Sequence, residues 1–505
     1  MAEKKRFLSL TNAEIIFLAC WVIWLLTWLK ELPIHRHDFN TAQWMLHSWW
    51  FLEEPLPTCA GISRLSCWYY PTHPPLVHLF GIPGLVLFGW VTWPIRLLQA
   101  MIILWGAFEL RALAQRITSP AAGSMVLFIF LASPMLILYG AIPNYEPTVV
   151  ALLCALMNRT SLYLDDKKIS GIICVYAIAT LGMLTDWSAY HPVGIAFLIA
   201  WYGHLKGTES KWVQVAAEHR WHLTALFAIG VLIFSSHLYM VYHAYGSLDP
   251  IFSTAELRSI SFSLAGTRLD GLSYLSKPVI MIGVFLGIIL EQFLTMASAW
   301  IVLLLTRKKN FPVSTTSVGK WILIPMSAGL IHTLMFPQGA FIHEYWVAPL
   351  LPPFALIVAV KASNWTENQV NTCGKVACAM LLLWGLVLLP ITSVANIEES
   401  VESVENLHEL FGDDASILVS YEIISARPEV VMSLHTGNLT PTAWASDSQE
   451  DWNWDGAVLC SDNAWVEKLI SADQNYTIID QRPSPACPTE QLVVLVPSNQ
   501  SAENA

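Results

Sequence analysis

The chain has 505 residues, 55% of them hydrophobic and 13% charged, with a formal net charge of −11. Soluble globular proteins carry about 25% charged residues, so this composition excludes a soluble enzyme, and no clustered basic surface points to nucleic acid. The charge is unevenly spread. Residues 396–505 hold 19 Asp/Glu and 3 Lys/Arg, while the rest holds 24 Lys/Arg against 19 Asp/Glu. A slightly basic body therefore carries an acidic tail of small-domain size.

Several apolar blocks are long enough to cross a hydrocarbon core, which takes about 20 helical residues. They include Glu14–Leu29, Ala122–Ile142, Leu223–Tyr242, Val279–Leu305 and Val376–Leu389. Lys4, Lys5 and Arg6 precede the first, which is long for a signal peptide and lacks a small-residue cleavage site. It reads as a first spanning helix with its basic flank in the cytoplasm. That helix ends near Lys30 and opens a long outer loop, residues 31–75. The basic signal of Arg111 and Arg116 then places the chain back inside. Between them lie Leu76–Trp90 and Ile95–Ala114, two apolar stretches for one net crossing. One of the two is expected to be re-entrant or interfacial, as Pro74-Pro75 and Gly81-Ile82-Pro83-Gly84 favour.

From there the alternation is regular. The chain leaves near Pro120, turns outside at Pro143–Glu146 and returns at Asp165–Lys168. It emerges at Asp186-Trp187, re-enters at His204–Arg220, and exits through Leu223–His243 to an outer loop, Ala244–Lys277. Arg307–Lys309 lie inside, Pro337–Tyr345 outside, Lys361–Lys375 inside, and a last crossing ends at Pro390. The expected architecture is an all-α polytopic membrane body over 1–395, with about 11–13 transmembrane helices. An extracytoplasmic α/β domain follows over 396–505, with β-prone runs at Ser416–Ile424, Glu429–Leu434, Ala457–Cys460, Tyr476–Asp480 and Leu492–Val496. Glycosylation sequons begin at Asn438, Asn475 and Asn499.

Of nine cysteines, Cys20, Cys154, Cys174, Cys373 and Cys378 sit in or beside apolar segments as ordinary buried thiols. The others form two pairs, Cys59 with Cys67 and Cys460 with Cys487, which become disulfides if both regions face an oxidising compartment. No Cys/His cluster has metal-site spacing, and no cofactor or metal is expected.

Unusual polar sequences recur at the outer helix ends. The first loop carries His35-Arg36-His37-Asp38, then an aromatic stretch Trp44–Phe51 suited to an interfacial helix, then Tyr69-Tyr70-Pro71-Thr72-His73-Pro74-Pro75-Leu76. Later ends add Tyr145-Glu146, Asp186-Trp187 and His343-Glu344-Tyr345. Each has a plain structural account: Asp38 a solvated loop residue, His73 a turn residue, Glu146 a helix-start anion, Asp186-Trp187 and His343–Tyr345 boundary anchors. Glu291, inside a long apolar helix, reads as structural. Taken together, acids, histidines and aromatics beside an apolar wall suit a polar headgroup whose lipid tail stays in the membrane.

The order of these features resembles the polyprenyl-phosphate-dependent glycosyltransferases of the GT-C superfamily, especially the bacterial branch similar to protein O-mannosyltransferases and aminoarabinose transferases. That family has a long outer first loop with an early catalytic Asp, here Asp38. A Lys/His-Pro-Pro-Leu segment follows, here His73–Leu76, and an acidic-Pro pair opens a later helix, here Glu146-Pro147. An aromatic-rich segment before a Pro-containing helix looks like His343–Pro353. Two positions depart: Phe39, not Glu, follows Asp38, and Glu146 stands where Asp is frequent.

The resemblance implies transfer of a sugar from a polyprenyl-phosphate donor to a protein, lipid or glycan acceptor at the outer face of a bacterial inner membrane. Asp38 would be the base and Glu146 would orient the acceptor or Asp38. Arg36, His73, His343, Arg258 and Arg268 are candidates to receive the leaving phosphate, with His37, Tyr70, Tyr145, Asp186, Glu344 and Tyr345 completing the substrate site. The rival readings are a transporter or flippase, which calls for paired interrupted helices and mid-membrane polar groups, and a ligase or polymerase acting on a lipid-linked glycan.

Overall fold

The structure, a computed structural model, describes residues 10–29, 39–53, 55, 69–89, 91–258, 315–336, 344–392, 416–419, 438–441, 454–461, 463–471, 476–483 and 491–497. Arg36, His37, Asp38, Arg268, Glu291 and His343, and the cysteines at 59, 67 and 487, lie outside the described residues, as do the side chains of Arg258, Glu344 and Tyr345.

Helix α1 (Asn12–Trp28) starts with a capping box: Thr11 Oγ1 accepts the Glu14 N–H, and a Glu14 carboxylate oxygen accepts the Thr11 N–H at 2.8 Å. Helix α2 (Phe39–Glu53) covers the aromatic stretch of the first loop. A 3-10 turn (Val77–Leu79) then leads to α3 (Ile82–Phe88) and α4 (Trp93–Ile117). Seven residues of α3 span about 10 Å and twenty-five of α4 about 37 Å, so α4 is the crossing and α3 is too short to make one.

The apolar run from Pro120 to Ile142 is two helices, α5 (Pro120–Leu131) and α6 (Pro134–Tyr139), where one was expected. Pro134 has no N–H to continue the ladder, and Ser133 caps the new start by accepting the Leu136 N–H. Then follow α7 (Tyr145–Asp166), α8 (Ile169–Thr185), a 3-10 turn (Trp187–Ala189), α9 (Tyr190–Lys206), α10 (Lys211–Glu218), α11 (Arg220–Tyr245) and α12 (Asp249–Arg258). After α13 (Thr315–Met335), a 3-10 helix (Glu344–Leu350) precedes α14 (Leu351–Lys361) and α15 (Glu367–Thr392).

Among the described residues, α4, α7 and α11 are long and apolar enough to cross a membrane, and the other apolar helices are shorter. Helices α4 and α7 run parallel. Thr148 Oγ1 donates to Gln99 Oε1 at 2.8 Å near their starts, and Glu109 meets Asn158 and Arg159 near their ends. Between these contacts a Cβ on Gly106 would lie 2.5 Å from Ala151 Cα, so glycine sets how closely the helices approach. At the end away from the candidate site, Glu14 takes Arg111 Nε at 2.6 Å and Arg111 Nη2 at 2.9 Å, and also accepts Ser124 Oγ. One carboxylate thus joins α1, α4 and α5.

The tail forms a five-stranded mixed sheet of β1 (Ser416–Val419), β2 (Asn438–Pro441), β3 (Gly456–Cys460), β4 (Tyr476–Pro483) and β5 (Gln491–Pro497). Its order is β2-β1-β3-β5-β4, with β1 parallel to β2 and β3, and β5 antiparallel to β3 and β4. Helix α16 (Ala464–Ser471) packs Trp465 and Leu469 on the sheet beside Leu418, Trp454, Leu459, Tyr476 and Leu495. Strand β2 begins at the Asn438 sequon, which the β-prone runs did not include, while Glu429–Leu434 lies outside the described residues. Cys460 is disulfide-bonded, and no cysteine among the described residues is its partner.

Candidate active site

The segment from Tyr69 to Leu76 has no regular hydrogen bonding of its own and is fastened to three later parts of the chain. Tyr69 donates its hydroxyl to His237 Nδ1 at 2.8 Å, because His237 Nε2–H is spent on the Pro71 carbonyl at 3.0 Å. Tyr245 donates to the Tyr69 carbonyl, Trp187 Nε1–H to the Thr72 carbonyl, and the Leu76 N–H to the Leu184 carbonyl. His73, between Thr72 and Pro74, is thereby held against the α8–α9 junction, where its Nδ1 lies 3.1 Å from Asp186 Oδ1.

Two aromatic rings flank His73. Tyr145 stacks on it with ring centroids 4.0 Å apart, and Tyr70 lies nearly parallel to it at 6.2 Å. Trp346 approaches it edge-on at 6.4 Å, which brings the 3-10 helix that begins at Glu344 to the same place. Tyr145 is also in contact with His78 Nε2 through its hydroxyl at 2.6 Å, and Trp44 Nε1–H donates to the Pro143 carbonyl at 2.9 Å. Trp44, Met45, Val77, Phe80, Ile95 and Tyr145 form one buried cluster, so α2, the 3-10 turn, α4 and the start of α7 meet here. Glu146, adjacent to Tyr145, is 1% exposed in the first turn of α7.

Electrostatics divide these groups. Burial pushes His47 down to about 3 and holds His78 well below the usual histidine range, so both rings are neutral near pH 7. Asp186 goes the other way. Burial opposes its charge, but the bond and charge of His73, then the charge of His332 and the Ser188 hydroxyl, together hold the carboxyl well below its ordinary range. Its second oxygen takes the Ser188 N–H at 3.0 Å and the Ser188 hydroxyl. Asp186 is therefore an ionised group with one oxygen on His73 and the other on Ser188.

The structure thus brings together Tyr70, His73, Tyr145, Glu146 and Asp186 of the residues expected in the site. It adds several that sequence reading passed over. Trp44 contributes its ring and N–H. Arg96, fully buried in the first turn of α4, is a cation at this end of the bundle. His47, His78, His191, His237 and His332 are histidines of apolar runs, where an isolated polar residue within a helix was the available signal. No group of three or more His, Cys, Asp or Glu suited to a metal occurs among the described residues. A cavity of about 180 Å³ lies elsewhere, lined by Leu156, Tyr163, His219, Leu223 and Trp321.

No family model matches the sequence, and no curated protein matches it. Solved structures do. ArnT from Cupriavidus metallidurans bound to undecaprenyl phosphate superposes with a TM-score of 0.66 at 11% identity, over 95% of this chain and 97% of that one. The same protein in the apo state gives 0.64 at 12% identity, over 96% and 98%. The apo oligosaccharyltransferase of Archaeoglobus fulgidus gives 0.47 at 10% identity, over 95% of this chain and 74% of that one. At such identities the likeness is one of fold alone: the chain shares the architecture of ArnT over nearly the whole of both chains.

Proposed function

We propose that this chain is a membrane glycosyltransferase that moves a sugar from a polyprenyl-phosphate carrier to an acceptor at the extracytoplasmic face. One observation carries the reading. The two segments on which the sequence resemblance rests, His73–Leu76 and Glu146-Pro147, are far apart in the chain and meet: the His73 ring stacks on Tyr145, next to Glu146, at 4.0 Å. The whole-length likeness to ArnT, a structure of which holds undecaprenyl phosphate, supports a lipid-phosphate donor. The Cys460 disulfide supports a tail in an oxidising compartment.

In this reading the acceptor hydroxyl or amine attacks the anomeric carbon and Asp38 takes its proton. The bond from that carbon to the phosphate oxygen breaks, its electron pair leaves on the phosphate, and the centre inverts. Positioned base catalysis contributes about 10²–10⁴-fold. Charge stabilisation on the departing phosphate is the larger contribution, and the candidates for it are His73, whose ring stacks on Tyr145, and Arg96 in the first turn of α4. Glu146 orients the acceptor or Asp38.

The test is transfer from a panel of radiolabelled polyprenyl-phosphate sugars by wild type and Asp38→Asn. Loss of turnover with donor binding retained is the expected result. Full activity of Asp38→Asn removes it as the base and turns attention to Glu146. Absence of turnover with every donor, from folded protein, favours a transporter or flippase.

A further inference from the structure

We infer that an apolar slot at the end of the bundle away from the candidate site takes up one acyl chain of an anionic phospholipid of the cytoplasmic leaflet, with the lipid phosphate at Lys320. The inference is independent of the glycosyl-transfer reading and concerns residues that reading does not use.

The slot is the cavity of about 180 Å³ walled by α7, α8, α9, α10, α11 and α13. An apolar cavity of about 150 Å³ stays dry and takes up benzene, so this one has room for a stretch of hydrocarbon. Its deep end is built from buried Val175, Ala179, Val193 and Leu226. The polar side chains of its wall, Thr160, Tyr163, His219, His222 and Lys320, stand at the other end. His222 is exposed and Lys320 half-buried, so the slot opens between the last turns of α7 and the first turns of α11 and α13. Its α7 wall spans residues 153–164, about 16 Å at 1.5 Å per residue. That is about half of a 30 Å hydrocarbon core, the depth of one leaflet.

The mouth is basic. Lys320 Nζ lies over the buried Trp321 ring at 4.9 Å and has no carboxylate partner among the described residues. Lys167, at the end of α7, donates to His219 Nε2 at 3.0 Å, because His219 Nδ1–H is spent on the Val215 carbonyl at 2.9 Å. An ammonium has three donors, so Lys167 keeps others for a ligand. Asp166 is paired with Lys168, and exposed Asp165 is within electrostatic reach of Lys320. Lys167, Arg220 and Lys320 then stand against Asp165 and Glu218, an excess of positive charge. Helix α10 completes the mouth: Trp212, Val215 and Ala216 line the slot while Lys211, Gln214 and Glu218 are exposed, as in a helix lying at a headgroup boundary.

The position of the charge decides the occupant. Arg116, Lys167, Lys168 and Arg220 mark this end as cytoplasmic, where anionic headgroups draw such cations to the surface. A zwitterionic lipid would bring its own ammonium against Lys320. A polyprenyl-phosphate chain entering from the Tyr145–Glu146 end would leave its phosphate at the opposite end of α7 from these cations.

The experiment titrates the full chain in detergent with dioleoyl phosphatidylglycerol, dioleoyl phosphatidylcholine or undecaprenyl phosphate. Binding is read by native mass spectrometry, and phosphatidylglycerol with a photoactivatable acyl chain maps the contact. The variants are Lys320→Gln at the mouth, Ala196→Phe in the wall and, as control, Lys206→Gln, an exposed lysine outside the slot at the same end. Phosphatidylglycerol should bind more tightly than phosphatidylcholine. Lys320→Gln should weaken it about tenfold and leave phosphatidylcholine unchanged, the size of one charge-assisted hydrogen bond. Ala196→Phe should reduce both, Lys206→Gln neither, and cross-links should fall within residues 153–164 and 192–199. If Ala196→Phe does not fold, Lys320→Gln and the cross-link map decide. Equal binding of the two phospholipids, or binding indifferent to Lys320→Gln, overturns the inference. So do cross-links confined to other helices. Loss of undecaprenyl phosphate binding in both Lys320→Gln and Ala196→Phe gives the slot to the polyprenyl lipid and overturns it as well.

Discussion

Trp44 donates its indole N–H to the carbonyl of Pro143 at 2.9 Å across a sequence separation of 99 residues. This bond attaches the helix of the first loop to the turn that opens α7, and so joins the segment directly after Asp38 to Tyr145 and Glu146.

Trp44→Phe keeps a ring against His78 and Tyr145 but leaves the buried Pro143 carbonyl without its donor. An unsatisfied buried acceptor costs about 1–3 kcal/mol. The expected result is a lower melting temperature in detergent and a larger fall in turnover than in donor binding. An unchanged melting temperature would mean that this bond does not hold the loop.

Acid should destabilise the site region before it affects the rest of the fold. His47 and His78 are held below the histidine value of 6.5, so the unfolded chain binds protons there that the folded one refuses. Stability is then complete above pH 6.5 and is lost as pH falls below it, down to about 3 for His47, by up to about 1.4 kcal/mol per pH unit per histidine. Asp186, held below its ordinary 3.8, adds to the loss only under that value. Neither ring nitrogen of His47 has a hydrogen-bond partner among the described residues. His47→Phe should therefore melt no lower than wild type at pH 7 and show a shallower slope below pH 6.5. A lower melting temperature at pH 7 would contradict this account.

Gly106→Val places side-chain atoms where Ala151 already stands, since even a Cβ would lie 2.5 Å from its Cα. Overpacking of this kind costs about 1–3 kcal/mol. Because α4 and α7 both begin at the site, their separation should also weaken turnover. Gly194→Ala, with nothing within 4 Å of its added Cβ, is the control.

Glu14→Gln should be among the more damaging single changes at the other end of the bundle. It leaves buried Arg111 without its charge partner, a loss of about 3–5 kcal/mol, whereas Glu14→Gln with Arg111→Met should regain much of it. Thermal unfolding of the three proteins separates these outcomes.

Cys460→Ser should cost the tail about 2–5 kcal/mol, read by limited proteolysis of residues 396–505. Non-reducing peptide mapping is expected to join Cys460 to Cys487. A different partner would revise the pairing drawn from the sequence.

Residue patterns carried the architecture further than they carried the site. Basic loops and apolar runs located α1, α4, α7, α8 and α11 within a few residues, because hydrophobic length is a strong local signal, while α15 starts at Glu367, well before the expected Val376. The break at Ser133-Pro134 escaped because the run around it is apolar throughout, and the proline was read inside a longer block. In the site, Tyr70, His73, Tyr145 and Asp186 were readable as polar or aromatic residues at helix ends. Asp186 was visible as a group but its partners were not, since only the fold reveals that His73 and Ser188 lie against its oxygens. His237 was missed for a related reason: its two bonds reach Tyr69 and Pro71, 168 and 166 residues earlier in the chain, a distance no local pattern spans.

The fastening of Tyr69–Leu76 bears on how the protein is made. Membrane helices are synthesised in order, and the groups that hold this segment, Leu184, Asp186, Trp187, His237 and Tyr245, all come more than a hundred residues after it. A nascent chain halted at residue 166 already contains His73, Tyr145 and Glu146, yet none of the five groups that orient His73. The site is therefore a late product of biogenesis: its chemistry-bearing residues enter the bilayer early and become a competent arrangement only when α11 has been delivered beside them.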